Sequence, residues 1–369
     1  MSTSSLPFDS NTLQAHTNMQ DFERLNSIVT AEFRIEESLI EHSIPTFYLE
    51  RSQKTKKPFL RLLKNLEELG LIAFLREEHN RLTLRIVPKP PVRKSNVMVN
   101  WLLFFATIAT TFITGYILSQ GFLERGLMSS PIIGGAAFMV AILTVLGMHE
   151  IGHKIAAGKS GIDATPPYFI PGPPPLFGTL GIGTFGAVIM QKSLPPNRDA
   201  LFDVGANGPI VGFILAVIVS LIGLLLSPTF PIQDSMGFLP APLIFEIFAI
   251  FVLNLPVDHY VLLHPVAFAG WVGMVVTMLN LLPASMLDGG HIARSIVGEK
   301  VRTVLTFLSI LLLFIQGFWP MAVFVLLLAT RRHPGPLDDV SSLSRGRKLM
   351  ILLLIAIFVL CSFPIFLPF

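Results

Sequence analysis

Charged residues are scarce in this chain and make up 14% of its 369 residues, whereas a soluble globular protein carries about 25%. They are also unevenly placed, because residues 1–99 hold 26 of them and residues 100–369 hold 25. This distribution excludes one large soluble domain. The net charge is only +3 and no basic stripe runs along the sequence, so we expect no nucleic acid among its partners.

Cysteine and targeting signals are equally sparse. The chain has one cysteine, Cys361, which excludes a disulfide framework and a zinc site built on several thiolates. Residues 1–19 are expected to be flexible, since they are polar and offer no apolar h-region, and no arginine precedes Arg24. We therefore expect neither a secretory signal nor a transit peptide, and insertion into the cell membrane through internal apolar segments.

The more charged part, residues 20–95, is predicted to be a small cytosolic α/β accessory domain. Helical spacing of apolar residues predicts helices at 20–33 and 56–69. Strands are predicted at 44–49, 71–75 and 82–87, the last two joined by a turn at His79–Asn80. This region contains no motif that carries chemistry, and a regulatory partner for it is left open. The proline-rich segment Pro88–Ser95 reads as a stiff, basic linker.

Apolar residues dominate the rest, and residues 97–369 are predicted to be a multi-pass α-helical membrane domain. A span needs about 20 apolar residues, and single spans are predicted at 97–119, 132–157, 202–226, 265–282 and 349–368. The segment Arg302–Thr330 is too long for one helix and contains Pro320, so it is predicted to be a pair of short spans, which gives seven in all.

Two apolar segments do not fit a straight span. Thr165–Ile189 is dense in proline and glycine, which predicts a re-entrant hairpin packed against protein. Leu239–Leu255 surrounds Glu246 and is expected to be re-entrant or interfacial.

Basic residues between the predicted spans indicate their orientation, because short cytosolic loops carry an excess of Lys and Arg. With seven spans and a cytosolic N-terminal domain, every basic cluster lies inside. The clusters are Arg93 and Lys94; Lys154, Lys159, Lys192 and Arg198; Arg294, Lys300 and Arg302; and Arg331, Arg332, Arg345, Arg347 and Lys348. Treating residues 302–330 as one span would break this agreement.

The second predicted span ends in His149-Glu150-Ile151-Gly152-His153, the HExxH pattern of zinc peptidases. Positions i and i+4 share a helix face, so both imidazoles can reach one metal ion, with Glu150 beside them to deprotonate a bound water. No charged residue precedes the motif from Ile132 to Met148. His149 lies about 25 Å along the helix from Ile132, still at bilayer depth, where ionisable residues point to function.

A catalytic zinc usually takes three protein ligands and a water, so a third ligand is expected elsewhere. The candidates are Glu246, Asp203, Asp258, His259, His264, Asp288 and His291. Asp288 is favoured because it follows an apolar span that ends at the depth of His149. It also precedes Gly289 and Gly290, which let the backbone turn sharply and approach another helix. His291 is the second choice.

These motifs resemble those of the site-2 protease family, the M50-type intramembrane zinc metalloproteases. The resemblance rests on His149–His153 and on the segments Asn280-Leu281-Leu282-Pro283 and Leu287-Asp288-Gly289-Gly290, and it covers roughly residues 97–369. It implies one Zn²⁺ per chain held by His149, His153 and Asp288, with Glu150 as the general base. By the same resemblance, Asn280 would contact the substrate backbone or the developing oxyanion.

Two further segments fit the same resemblance. Residues 178–188 resemble the family's re-entrant hairpin, whose exposed edge could pair with an unwound substrate. Asn207-Gly208-Pro209 resembles its small-residue motif on the third core helix, which would allow close packing near the site. The chain looks closest to archaeal and plant chloroplast members, and it lacks the PDZ insertion and the CBS pair of other types.

The expected function is therefore hydrolysis of peptide bonds within or near transmembrane segments, with transmembrane proteins as substrates and the lipid bilayer as surroundings. Two alternatives remain open, a multi-pass transporter with broken helices and a catalytically inactive scaffold with the same fold. The chain shows no internal repeat and lacks no signature residue, which argues against them. Only the family resemblance argues against a membrane metallohydrolase that acts on lipid.

Overall fold

The computed structural model describes residues 19–91, 95–176, 181–232, 239–256, 258–330 and 333–363. Its helices are α1 Met19–Thr30, α2 Lys56–Glu67, α3 Val97–Glu124, α4 Pro131–Lys159, α5 Arg198–Leu225, α6 Leu243–Leu253, α7 Pro265–Leu281, α8 Asp288–Ile296, α9 Glu299–Ile315, α10 Trp319–Ala329 and α11 Arg345–Cys361. Its strands are β1 Ile35–Glu41, β2 Ile44–Leu49, β3 Leu71–Glu78, β4 Arg81–Pro88, β5 Tyr168–Pro171, β6 Thr184–Val188, β7 Thr229–Pro231 and β8 His259–Val261.

The N-terminal region is a four-stranded antiparallel sheet in the order β1-β2-β4-β3 with two helices packed on it. The apolar faces of α1 and α2 meet the sheet in one core that includes Val29, Phe59 and Phe47, all fully buried. The predicted turn at His79–Asn80 is confirmed, since both residues adopt positive φ between β3 and β4.

Strand β1 is absent from the sequence prediction, which placed no strand before Ile44. It carries three glutamates in seven residues, and this charge hides the alternation of apolar side chains. The strand lies at the edge of the sheet, where charged side chains are common because they discourage pairing with other chains. A two-residue turn at His42 and Ser43, both at positive φ, joins it to β2.

Three helices, α3, α4 and α5, are long and apolar enough to cross a membrane. At 28 to 29 residues each they extend about 42 Å, more than the hydrocarbon core of about 30 Å. Their outward faces carry exposed large apolar side chains, such as Phe105, Val140 and Ile222. Their inner contacts, shared with α7, bury small residues such as Ala206 and Ala216, as is typical of membrane helix interfaces.

The predicted break in residues 302–330 is present between α9 and α10, at residues 316–318. Gly317 adopts a φ of +80° there, and Pro320 lies in the first turn of α10, where a proline costs no hydrogen bond. Helix α10 has 11 residues and is therefore about 17 Å long, so the paired-span reading stays a prediction. Of the predicted last span at 349–368, residues 349–361 lie in α11, and residues 364–369 lie outside the described residues.

The proline- and glycine-rich segment folds as a β-hairpin whose strands β5 and β6 are antiparallel. The Thr110 hydroxyl of α3 donates to the Gly183 carbonyl at 2.6 Å, which ties the hairpin to the first long helix. Residues 177–180 lie outside the described residues, so the hairpin predicted from residue 178 is described only from 181 onward. Its placement within the bilayer stays a prediction.

Candidate metal centre

Helix α4 places His149 and His153 one turn apart and buries both imidazoles, which are 4% and 5% exposed. Their Nε2 atoms lie 3.0 Å apart, and the ring planes meet at 72°. Two ring nitrogens that point at a common spot from successive turns are the arrangement that the i, i+4 spacing predicts.

The third member of the cluster, Asp288, is the first residue of α8 and lies far from both histidines in the sequence. Its Oδ2 lies 3.2 Å from Nε2 of His149 and 3.2 Å from Nε2 of His153. Its side chain is 17% exposed. Among the described residues, these three are the group of His, Cys, Asp and Glu side chains that could hold a metal ion.

The spacing of the three donor atoms matches a tetrahedral zinc site. Zinc bonds of about 2.0–2.1 Å at tetrahedral angles separate neighbouring ligand atoms by about 3.3 Å. The observed separations are 3.0, 3.2 and 3.2 Å. Two imidazoles and one carboxylate are also a donor set that zinc accepts in catalytic sites, with one position left for water.

A hydrogen bond behind the cluster fixes the orientation of one imidazole. Nδ1 of His153 lies 2.6 Å from the Val204 carbonyl oxygen on α5. A carbonyl can only accept, so Nδ1 carries the proton and donates it. Nε2 of the neutral ring then keeps its lone pair for a metal, which is how metal-binding histidines are usually held.

Glu150 lies beside the cluster rather than in it. Its Oε1 is 4.0 Å from Nε2 of His149, and its Oε2 accepts the backbone N–H of Ile189 at 2.9 Å. Ile189 directly follows strand β6, so the hairpin holds this carboxylate in place. An anchored, buried carboxylate next to a metal position is suited to moving a proton.

Asn280, in the last turn of α7, also reaches the cluster. Its Nδ2 lies 3.4 Å from Nε2 of His149, so the side-chain amide stands at the edge of the metal position. The predicted site residues thus converge from α4, α7 and α8.

The other candidate ligands lie outside this cluster. Asp203 pairs with Arg347 at 2.7 Å, and His291 bonds to His333 at 2.7 Å. Asp258 and His259 pair with each other near strand β8, and His264 caps the start of α7, the opposite end from Asn280. Glu246 lies on α6. Asp288 is the candidate that the structure places within 3.2 Å of both histidines, and its role as the third ligand stays a prediction.

The segment that precedes Asp288 is held by a buried arginine, Arg302, whose sequence position indicates only the orientation of the spans. Ser285 adopts a positive φ of 47°, a costly conformation for a residue with a side chain. Arg302 of α9, 3% exposed, donates to the Ser285 carbonyl at 3.0 Å, and the Ser285 N–H donates to Thr306 at 3.0 Å. No local pattern in the sequence predicts these contacts of Arg302 and Thr306 with Ser285.

Gly208 on α5 leaves the space that the His153 ring occupies. A Cβ at this position would overlap the imidazole, with its Nε2, Cε1 and Cδ2 atoms all inside contact distance. The resemblance of Asn207-Gly208-Pro209 to a small-residue motif implies close packing here but does not identify His153 as the partner. Gly212, one turn later, leaves similar space for His149, and no motif in the sequence indicates this role.

We expect Gly208→Ala to weaken metal binding and to destabilise the protein by about 1–3 kcal/mol, because the added methyl must displace His153. Gly158→Ala is the matched control, since Gly158 is exposed near the end of α4 and a Cβ there meets nothing within 4 Å. It should be neutral or stabilising by up to about 1 kcal/mol. Metal content and thermal unfolding measure both effects, and equal metal content in the two variants would contradict this role of Gly208.

A sequence profile of Peptidase family M50 matches residues 137–316. The chain carries an M50 peptidase domain. The matched range includes the HExxH motif, Asn280 and Asp288, so the whole cluster lies within the M50 domain. The N-terminal sheet, helix α3 and helix α11 lie outside it.

The chain is also similar to curated plant proteins. It is 26% identical over 296 residues to a probable zinc metalloprotease EGY2, chloroplastic, of Oryza sativa subsp. indica, covering 74% of this chain and 51% of that protein. It is 35% identical over 207 residues to the EGY2 protein of Arabidopsis thaliana, covering 53% and 35%. The chain spans about half the length of the rice relative. No solved structure matches it.

Proposed function

We propose that this protein is an intramembrane zinc endopeptidase that cleaves peptide bonds within or near transmembrane segments of other membrane proteins. The observation that carries the proposal is the convergence of two imidazole nitrogens and one carboxylate oxygen at 3.0–3.2 Å. They lie on helices of an apolar bundle, with an anchored glutamate beside them. The M50 domain and the zinc metalloprotease names of the plant relatives support the same activity.

His149, His153 and Asp288 would hold one Zn²⁺. When bound, zinc would polarise the scissile carbonyl and acidify a water molecule. Glu150 takes the proton from the attacking water and delivers it to the leaving amine, while the Ile189 N–H keeps its carboxylate in position. The amide of Asn280 contacts the substrate backbone at the reacting carbonyl.

The substrate must be extended where it is cut, because a helix keeps its carbonyls in i→i+4 hydrogen bonds. Strand β6 pairs with β5 and carries the exposed residues Phe185 and Val188. We propose that an unwound substrate adds to the edge of β6, a common way of binding extended peptides. Because Ile189 follows β6 directly, this places the substrate next to Glu150.

Water needs a route to the site. A cavity of about 980 Å³ lies between the N-terminal region and the M50 domain. Ile189 and Met286 line it, and Ile189 is the residue that bonds to Glu150. We propose that water and the cytosolic flank of the substrate use this cavity.

For the topology, we propose seven spans in the cell membrane, with the N-terminal region, residues 20–95, in the cytosol. The distribution of Lys and Arg supports this, as does the break between α9 and α10. A partner that regulates the protease through the N-terminal region belongs to the same proposal.

A reporter fused after Thr330 should therefore report the cytosolic side. A matched fusion after Arg125, between the first two spans, should report the external side. The accessibility of each reporter to a membrane-impermeant reagent measures this. An external signal after Thr330 would exclude the pair of short spans.

The activity is tested with purified full-length protein. Its zinc content is measured, and cleavage of a transmembrane substrate with a helix-breaking residue is followed with and without a chelator. We expect about one zinc per chain and cleavage that stops when zinc is removed and returns when it is restored. A protein with no zinc after gentle purification and no cleavage would favour a transporter or an inactive scaffold.

A further inference from the structure

Residues 333–344, which we call the strap, connect the N-terminal sheet to the M50 domain. The backbone of the strap runs parallel to the free edge of β3. The Leu75 N–H donates to the Leu337 carbonyl at 2.9 Å, and the Asp339 N–H donates to the Leu75 carbonyl at 3.1 Å. Leu337 is buried in the core of the N-terminal region. The strap is therefore joined to that sheet by a parallel β-bridge between Leu75 and Asp338.

Arg76 fastens the strap from the N-terminal side. Its guanidinium donates to the Leu337 carbonyl at 2.8 Å and to the Pro334 carbonyl at 3.4 Å. Burial lowers the pKa of this arginine below its usual value, which Asp339 partly offsets. A buried guanidinium is costly unless it is hydrogen-bonded. The two carbonyls of the strap supply these hydrogen bonds, and they thereby hold the strap against the N-terminal sheet.

The other side of the strap is fastened to α8, the helix that begins with Asp288. Arg294 of α8 donates two hydrogen bonds to the Asp339 carboxylate, at 2.9 and 2.5 Å. The Arg294 side chain is 7% exposed and that of Asp339 is 16% exposed. A bidentate, buried arginine–carboxylate pair is both strong and directional.

A second contact between the strap and α8 is a hydrogen bond between histidines. The Gly335 N–H donates to Nδ1 of His333 at 2.9 Å, so the proton of the neutral ring lies on Nε2. Burial, together with the neighbouring His291 and two arginines, lowers the pKa of His333 to about 2, which keeps the ring neutral. Its Nε2–H then donates to Nδ1 of His291 on α8 at 2.7 Å.

These contacts bear on the metal cluster because α8 is a short, continuous helix of nine residues. Asp288 and Arg294 are six residues apart, about 9 Å along the axis, and main-chain hydrogen bonds join them into one rigid piece. A shift of the Arg294 end moves the Asp288 end with it. Metal sites are sensitive to such changes, since altering residues that only orient the ligands costs about 10–100-fold in metal affinity.

We infer that Arg294 and Asp339 are positioning residues for Asp288, and that the strap couples the docking of the N-terminal region to the geometry of the metal site. The inference rests on the proposed function, because it requires that Asp288 bind the metal. Through this coupling, a change in how the N-terminal region docks alters the metal site without any contact between that region and the substrate.

The test uses full-length protein loaded with zinc and measures how fast and how completely a chelator removes the metal. Asp339→Asn removes the charge that binds Arg294 of α8 and also Arg198 of α5, and it should weaken zinc binding about 10–100-fold. Asp339→Glu keeps the carboxylate and should restore most of the affinity. In Asp339→Asn kcat should change more than KM, because the substrate-binding strand is untouched.

Arg76→Met cuts the strap on the N-terminal side and should also weaken zinc binding, by a smaller factor of about 10-fold, at the lower end of the range that supporting contacts produce. Glu37→Gln is the control, since it removes an exposed ion pair with Arg81 within the same sheet and should change nothing. Size-exclusion elution and thermal unfolding verify that each variant is folded.

The outcomes separate the inference from the proposed function. If the wild type holds no zinc, the proposed function itself fails. If the wild type holds zinc and Asp339→Asn retains it equally well, the positioning role is wrong. If Asp339→Asn weakens zinc binding while Arg76→Met does not, the proposed coupling between the N-terminal region and the metal site is refuted. If Asp339→Asn does not fold, the Arg76→Met result alone decides the coupling.

Discussion

Glu150→Gln should abolish cleavage of a transmembrane substrate while leaving zinc in place. The carboxylate lies beside the cluster, with Oε1 4.0 Å from Nε2 of His149, so removing its charge removes no metal ligand. Glutamine has nearly the same shape, and its side-chain oxygen can still accept the N–H of Ile189, which now bonds to Glu150 at 2.9 Å. What is lost is the ability to take and return a proton.

Positioned proton transfer contributes about 10²–10⁴-fold to a rate, and we expect a loss in that range or larger. Cleavage rate and zinc content, measured on the same preparation, check both halves of the prediction. Glu246→Gln is a matched control, because it makes the same substitution on apolar helix α6, away from the cluster. Cleavage at the wild-type rate by Glu150→Gln would refute the general-base role.

Asp288→Ala should remove both zinc and activity. Its Oδ2 is 3.2 Å from Nε2 of each histidine, so the substitution leaves two imidazoles to hold the ion. It also removes the negative charge that offsets the charge of the metal in a buried place. Since changes behind the ligands already cost about 10–100-fold in affinity, we expect a loss of more than about 100-fold here.

Zinc titration against a competing chelator measures this loss, and circular dichroism shows whether the helices are intact. Asp258→Asn is the control, because Asp258 is another acid that the sequence offered as a ligand, and its side chain is 81% exposed. Should Asp288→Ala hold zinc as tightly as the wild type does, the third ligand must be another residue.

The two variants are expected to differ in their zinc content. Glu150→Gln is expected to give an inactive protein that contains zinc, and Asp288→Ala an inactive protein without it. A structural defect would reduce both readouts in both variants. The contrast therefore separates a base from a ligand, and it tests the assignment of roles within the cluster.

The sequence by itself determined the features that depend on local spacing. The i, i+4 arrangement of His149 and His153 follows from helix geometry alone, and a charge-free run before it marks the helix as membrane-embedded. The break at residues 316–318 could be predicted from Gly317 and Pro320 because both act on their own backbone. The uneven distribution of charge predicts a division between the N-terminal region, residues 20–95, and an apolar membrane domain, residues 97–369.

Only the tertiary structure decided which distant groups meet. Asp288 is one of seven candidate ligands, and its choice depends on how α8 packs against α5, which brings its carboxylate to His149, 139 residues away in the chain. Strand β1 is not predicted from the sequence, because its glutamates interrupt the alternation of apolar side chains. Pairing with β2 stabilises it. Arg302, Gly212 and the strap carry no local pattern, since their contacts join segments far apart in sequence. Periodicity records which face of an element is buried, and it holds no information about which partner buries it.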